Sequence, residues 1–150
     1  MLKQRPSWDE YFLKLAHAAA ERSTCPRANV GVILVQDRKI LATGYNGAPT
    51  KMVDCLENGC VMIDNHCVRS IHAEANALFH APELTDYTIM YCTHQPCMEC
   101  CKLIVQKGVK RVIYDVVGAR EDSRSVLFGY ATQNGYLHAA HIDIDSYQLA

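Results

Sequence analysis

The chain of 150 residues contains no apolar run approaching the roughly 20 residues that span a bilayer. Its first residues, Met1-Leu2-Lys3-Gln4-Arg5-Pro6, lack the apolar stretch of a secretory leader. Neither charge is in excess: 15 Lys and Arg face 16 Asp and Glu, for a formal net charge of −1. A broad basic surface for duplex or single-stranded nucleic acid is therefore not expected. Internal repeats and low-complexity segments are absent as well. These absences lead to the expectation of a cytoplasmic globular protein with no membrane partner. The length suits one domain over residues 1–150 with a sizeable core.

What the chain has in quantity is cysteine: Cys25, Cys55, Cys60, Cys67, Cys92, Cys97, Cys100 and Cys101. In a cytoplasmic chain, clustered cysteines more often bind metal or stay reduced than pair as disulfides.

Periodicity places these residues on elements. Ser7 suits a helix N-cap with Glu10 as its capping-box partner. Trp8, Tyr11, Phe12, Leu15, Ala18 and Ala19 recur at helical spacing, which predicts an amphipathic helix from 8 to about 22. Val30–Val35 and Ile40–Tyr45 read as strands of a hairpin turning at Asp37-Arg38-Lys39. Residues 46–70 lack a steady period and read as a long loop, which is usually functional or pinned by something. A short helix follows from His72 to about His80, then a strand at Thr88–Cys92. Pro96 opens a helix that runs to Lys107 with Gly108 past its end. Arg111–Tyr114 reads as a strand, 121–133 as a helix stopped near Asn134-Gly135, and Tyr136–Ile144 as a last strand. The order α-β-β-α-β-α-β-α-β implies an α/β domain layered α-β-α, with helices on both faces of one sheet.

Two segments carry chemistry, His72-Ala73-Glu74 and Pro96-Cys97-Met98-Glu99-Cys100, and each opens a helix. Cys97 and Cys100 are one turn apart and share a face. A helix N-terminus favours thiolate over thiol through its unpaired N–H groups and dipole. Two thiolates and an imidazole suit Zn²⁺, and three protein ligands leave the fourth tetrahedral position for water, as in catalytic rather than structural sites. Zinc lowers the pKa of such a water to roughly 7. Glu74, two residues past His72, is placed to move protons beside the metal without binding it. Cys101 and Cys92 read as buried core residues.

The order His-x-Glu…Pro-Cys-x-x-Cys matches the signature of zinc nucleobase deaminases. With Trp8-Asp9-Glu10-Tyr11-Phe12, Arg22-Ser23-Thr24-Cys25, Thr43-Gly44-Tyr45-Asn46-Gly47-Ala48-Pro49, His72-Ala73-Glu74-Ala75-Asn76-Ala77 and Thr93-His94-Gln95-Pro96-Cys97, the chain resembles the cytidine/deoxycytidylate deaminase superfamily, most closely its dCMP deaminase branch. The resemblance covers residues 8 to about 115. Past Tyr114 it fades, because Asp115-Val116-Val117-Gly118-Ala119-Arg120 replaces the usual acidic/proline segment.

The resemblance implies a three-layer fold with a five-stranded mixed sheet and zinc-dependent hydrolysis of dCMP to dUMP and ammonia. It implies zinc on His72, Cys97 and Cys100, with Glu74 as the catalytic proton carrier. Asn46, the backbone of Ala73, and Tyr114 would contact the substrate. Family members are often hexameric, activated by dCTP and inhibited by dTTP, with Mg²⁺ on the triphosphate. Gly44, Tyr45 and Gly47 belong to the region associated with that regulation. Some relatives hold a second, structural zinc, for which Cys25, Cys55, Cys60 and Cys67 are candidates here. A 5′-phosphate calls for arginine; Arg22, Arg27 and Arg69 lie near the motifs, and the sequence does not choose among them. The alternatives are a deaminase of another cytosine nucleotide, one acting on tRNA or a single strand, and a zinc-binding module without catalysis.

Overall fold

A computed structural model describes residues 2–149. It contains α1 (Trp8–Ala20), β1 (Gly31–Gln36), β2 (Lys39–Tyr45), α2 (Cys55–Asn58), β3 (Met62–Ile63), β4 (His66–Cys67), α3 (Ala73–His80), β5 (Ile89–Cys92), α4 (Met98–Lys107), β6 (Arg111–Asp115), α5 (Gln133–Ala139) and β7 (Asp143–Tyr147), with 3₁₀ turns at Val116–Gly118 and Ser123–Phe128. Five strands form one mixed sheet in the order β2-β1-β5-β6-β7. The β1/β2 and β1/β5 pairs are antiparallel, and the β5/β6 and β6/β7 pairs are parallel. The five-stranded α/β architecture expected from the sequence is the one observed.

Alternation along the strands splits the core in two. Ile33, Val35, Tyr91 and Ile113 face α1 and pack on Phe12, Leu13 and Ala16. Val32, Leu34, Met90, Cys92, Val112 and Ile144 face the other way, onto Ala73, Ala77, Leu78, Cys101, Ile104 and Leu137 of α3, α4 and α5. The parallel β5/β6 pair needs a crossover, and α4 supplies it. The two motifs singled out in the sequence thus fall at the N-termini of two helices on the same face, α3 and α4.

Ser7 caps α1 by accepting the Glu10 N–H at 3.1 Å. The Glu10 carboxylate, however, pairs with Lys14 at 3.0 Å, so only half of the expected capping box forms. The β1/β2 hairpin turns on Asp37 and Arg38, both at positive φ (50° and 63°), as a two-residue hairpin loop requires.

The structure departs from expectation in three places. Residues 46–70 are a loop with content: the single turn α2 and the two-stranded ribbon β3/β4. Residues 121–133 are not one helix. A 3₁₀ turn ends at Gly129, which takes the left-handed conformation at φ 83°. Asn134-Gly135 does not stop a helix but lies in the first turn of α5, because Thr132 caps that helix through the Gly135 N–H at 3.1 Å. The last strand accordingly begins only at Asp143, near the end of the expected segment Tyr136–Ile144, whose first residues belong to α5.

Candidate active site

His72 is the N-cap of α3 and Cys97 the N-cap of α4, and neither side chain caps its own helix. Both are thereby free to point elsewhere, and they meet. His72 Nδ1 lies 3.4 Å from Cys97 Sγ and 3.3 Å from Cys100 Sγ. All three donor atoms lie within 4.8 Å of one another. The α3/α4 contact that joins them is made by packed side chains below, Ala73 and Ala77 against Cys101 and Ile104 in the core.

The electrostatics of this cluster follow from its crowding. A hydrogen bond from Cys100, and another from His72, hold the Cys97 thiol down at about 3 against the cost of burial. The Cys97 sulfur in turn raises the His72 imidazole above its usual range, and it pushes the Cys100 thiol far up together with burial. The three groups thus share protons among themselves, as expected of ligands that a cation has to deprotonate.

Glu74 lies beside them, 1% exposed. Its Oε2 accepts from Cys100 Sγ at 3.4 Å, while Oε1 is buried without any partner. Burial first, and then the negative Cys97 sulfur, raise the Glu74 carboxyl above its ordinary value. A buried carboxyl with a raised pKa keeps its proton to higher pH than an exposed one, and its unpartnered oxygen is open to a bound molecule. The donor set of one imidazole and two thiols on rigid helix ends, with an unpartnered carboxylate oxygen next to it, fits a zinc ion with an open position.

His72, Glu74 and Cys97 line a cavity of about 380 Å³ whose walls also include Asn46, Ala73, Ser70, Arg27 and Arg120. Asn46 is buried; its Oδ1 accepts the Val30 N–H at 2.9 Å and its Nδ2 donates to Ala28 O at 2.8 Å. That leaves one amide hydrogen and one lone pair for a ligand. Ala73, the first helical residue of α3, has a backbone N–H with no intrahelical acceptor.

Tyr114 is placed differently from expectation. It shares the α3/α4 face of the sheet with Val112, is buried in the core there, and is not among the walls of this cavity. Of the three arginines weighed for a phosphate, only Arg27 reaches the cavity. Arg22 sits over the Tyr45 ring at 6.0 Å, and Arg69 donates to Val53 O at 3.3 Å. Arg120 and Arg124, also in its walls, were not singled out by any sequence pattern.

Gly44, Tyr45 and Gly47 line a separate cavity of about 900 Å³ between β2, α3 and α4. Gly44 has a packing reason of its own: a Cβ there would stand 2.3 Å from the Ala73 carbonyl and 2.7 Å from the Ala77 nitrogen. Its absence lets α3 lie directly on β2.

The cysteines of the 46–70 loop converge too. Sγ atoms of Cys55, Cys60 and Cys67 lie within 4.8 Å of one another, with Cys55–Cys67 at 3.5 Å. Cys25, the fourth candidate, is not part of that cluster, though its sulfur lies near enough to act on the Cys60 thiol. Burial raises the Cys67 thiol, but the N–H groups of Ser70 and Arg69 and the Cys55 thiol outweigh it and bring it down to about 6. Desolvation and the Cys55 and Cys67 sulfurs push Cys60 up to about 12.

The architecture and the two helix-end motifs define a class. Residues 6–116 match the cytidine and deoxycytidylate deaminase zinc-binding region, more than half of the chain, and the protein belongs to that family. Among relatives, ComE operon protein 2 of Bacillus subtilis is 47% identical over 114 residues, covering 74% of this chain and 60% of the relative. The deoxycytidylate deaminase of Mycobacterium phage D29 is 42% identical over 124 residues, covering 73% of this chain and 95% of the relative. The chain thus spans less than two thirds of the Bacillus protein. A crystal structure of dCMP deaminase from the cyanophage S-TIM5, in complex with dCMP and dUMP, superposes with a TM-score of 0.73 at 30% identity, covering 97% of this chain and 100% of that one.

Proposed function

We propose that the protein is a zinc-dependent hydrolase that converts dCMP and water to dUMP and ammonia. The observation that carries this reading is the buried Glu74 with its orphan Oε1, beside a three-donor cluster on the floor of a nucleotide-sized cavity. The substrate follows from the phage relatives, one named deoxycytidylate deaminase and one solved with dCMP and dUMP.

His72, Cys97 and Cys100 would hold the zinc, which would supply a Lewis acid able to lower the pKa of a water to roughly 7. Ala73 N–H and the spare Asn46 amide position the pyrimidine and sugar. Glu74 takes a proton from water and gives it to the ring nitrogen. It later takes the proton of the added hydroxyl and delivers it to the departing amine, so that one water is consumed and one ammonia released. Its buried, apolar setting makes that carboxyl hold a proton at higher pH than an exposed one.

A second zinc belongs on Cys25, Cys55, Cys60 and Cys67. Four sulfurs make a closed structural site, and closing it would pin a loop that contributes walls to the active cavity. The larger cavity is assigned to the regulatory triphosphate, dCTP as activator and dTTP as inhibitor, each carried with Mg²⁺. What supports this is shared structure: α3 begins at the catalytic residues, while its Asn76, Phe79 and His80 line that cavity. Phe79, 84% exposed, and half-exposed Leu103 suit burial by further copies of the chain, up to a hexamer. A cytoplasmic location fits sites that need reduced thiols. No helix among the described residues is long and apolar enough to cross a membrane.

The test is a spectrophotometric assay on the zinc-loaded protein with dCMP, CMP, dCTP, deoxycytidine and a short cytosine-containing strand. Preference for dCMP is expected; preference for the strand, or no turnover with any of them, overturns the reading. Initial rates at subsaturating dCMP with dCTP-Mg or dTTP-Mg test the regulation, and light scattering tests the assembly.

A further inference from the structure

Three arginines line the active cavity: Arg27 from the loop before β1, and Arg120 and Arg124 from the segment after β6. Their situations differ. Arg124 grips the Asp122 carboxylate through Nε and Nη2 at 2.7–3.1 Å, and its charge is matched. Arg27 and Arg120 have no carboxylate partner among the described residues; Arg27 touches only Met62 Sδ, at 3.0 Å. Arg120 donates its Nε–H to Gln95 O at 3.0 Å, and no partner engages its two terminal nitrogens among the described residues.

The backbone beneath Arg120 is fixed from inside the protein. Its N–H donates to Gln95 Oε1 at 2.9 Å, and Gln133 Nε2 donates to its carbonyl at 2.7 Å. Gln133 Oε1 also accepts the Asp122 N–H at 3.2 Å. Gln133 is fully buried and Gln95 nearly so. Gly118 brings the segment down onto the residues that follow β5, where a Cβ would stand 2.1 Å from the Thr93 carbonyl. Burying two amide side chains to fix an exposed turn is costly unless each hydrogen bond is made, and here the bonds are made to residues 120 and 122. The product is an exposed arginine with a fixed base and a free N–H pair in the wall of a cavity that also holds Glu74. The planar N–H pair is the geometry that recognises a phosphate through two parallel hydrogen bonds.

We infer that Arg120 recognises the 5′-phosphate of the substrate, with Arg27 as its second cation. The inference rests on the proposed deamination of a nucleoside monophosphate and names the residue that separates it from the bare nucleoside. Glu121 and Asp122 also line this cavity and repel a dianion, which leaves the Arg27 and Arg120 groups as its partners. Arg120 lies past residue 116, where the match to the family's zinc-binding region ends.

The experiment compares zinc-loaded wild type with Arg120→Gln. Calorimetry measures dUMP and deoxyuridine binding, and kinetics measure dCMP against deoxycytidine. Wild type is expected to favour dUMP, and Arg120→Gln to reduce that advantage about 10- to 100-fold, as for a lost charged hydrogen-bonded pair. The kcat/KM ratio of dCMP to deoxycytidine should fall alike, through KM. Arg120→Lys should recover part of it, and Arg27→Gln should lose less. An unchanged dUMP-to-deoxyuridine ratio in Arg120→Gln overturns the inference, as does a wild type that binds both alike. A wild type that deaminates nothing yet prefers dUMP through Arg120 keeps the inference and removes the deaminase reading. If Arg120→Gln melts early or loses zinc, competition of inorganic phosphate with dUMP on wild type and Arg27→Gln decides: absence of competition on wild type overturns it.

Discussion

His72, Cys97 and Cys100 stand at the first turns of two packed helices, whereas Cys55, Cys60 and Cys67 stand on a loop of one-turn and two-residue elements. Both sets gather their donor atoms within 4.8 Å. The first set is held by the core beneath it, where Ala73, Ala77, Cys101 and Ile104 are buried. The second has little beneath it: Met62, Ile63 and His66 of its ribbon are all exposed. In the first, the fold holds the ligands and a bound metal would be free to do chemistry. In the second, a bound metal would hold the fold. The first set also has an uncoordinated carboxyl, Glu74, within reach; the second has only more sulfur, Cys25.

Removing ligands should separate the two most sharply. His72→Ala or Cys97→Ala should abolish zinc at the helix-end site and with it all measurable turnover, while the circular dichroism and melting temperature stay near those of metal-stripped wild type. Metal analysis and the dCMP assay check this. Turnover surviving in either variant would mean the cluster is not the catalytic centre. Next in size is Glu74→Gln, which keeps the shape and removes the proton carrier. It should lower kcat by about 10²–10⁴-fold, with zinc content unchanged. Because Glu74 is buried with one oxygen unpartnered, the neutral amide should not lower the melting temperature.

How much of this contrast was legible in the sequence follows from the range of the forces involved. The helix-end site was readable because its parts are local. A cap position, a Cys-x-x-Cys turn and a His-x-Glu step each specify a direction on one helix, and the α/β order puts those helices on one sheet face. The hairpin at Asp37-Arg38 was legible for the same reason. Strand phase, set by pairing with β5 and β7, puts Tyr114 on the α3/α4 face, but how deeply it is buried there depends on neighbours distant in the chain. The helix expected over 121–133 failed because Thr132 and Gly129 re-divide it through caps that apolar periodicity does not register. Arg120 was invisible because its role depends on Gln95 and Gln133, 25 and 13 residues away. Gly44 is the reverse case: as a motif residue it suggested a nucleotide site, and its contacts show that helix packing already requires it.

The loop cluster responds to a different measurement. Cys55→Ser or Cys67→Ser should reduce zinc from two per chain to one and lower the stability by about 3–4 kcal/mol at saturating zinc, the effect of losing a ligand that binds only the folded state. Turnover should persist in part, since His72, Cys97, Cys100 and Glu74 are untouched. One zinc per wild-type chain, with both helix-end cysteines intact, would remove the second site and leave the first standing.

The smallest expected effect joins the first site to its helix. The Asp122 carboxylate accepts the Met98 N–H at 2.8 Å and so caps α4, the helix that carries Cys97 and Cys100. The Arg124 guanidinium, and then the Met98 and Arg124 N–H groups, hold Asp122 below the usual carboxylate range against partial burial. A carboxyl whose folded pKa is depressed stabilises the fold above its unfolded pKa, near 4, and loses that contribution as pH falls toward the folded value. Asp122→Asn should therefore cost about 1 kcal/mol near pH 7, a modest figure because Arg124 is 35% exposed and solvent screens the pair. Urea melts of the two proteins should converge as pH drops from about 4. Zinc should dissociate more readily from the helix-end site of the variant and no more readily from the loop cluster, which shares no element with α4. Equal loosening of both metals would mean that the two sites are one cooperative unit, and the division between a fold that holds its metal and a metal that holds its fold would go.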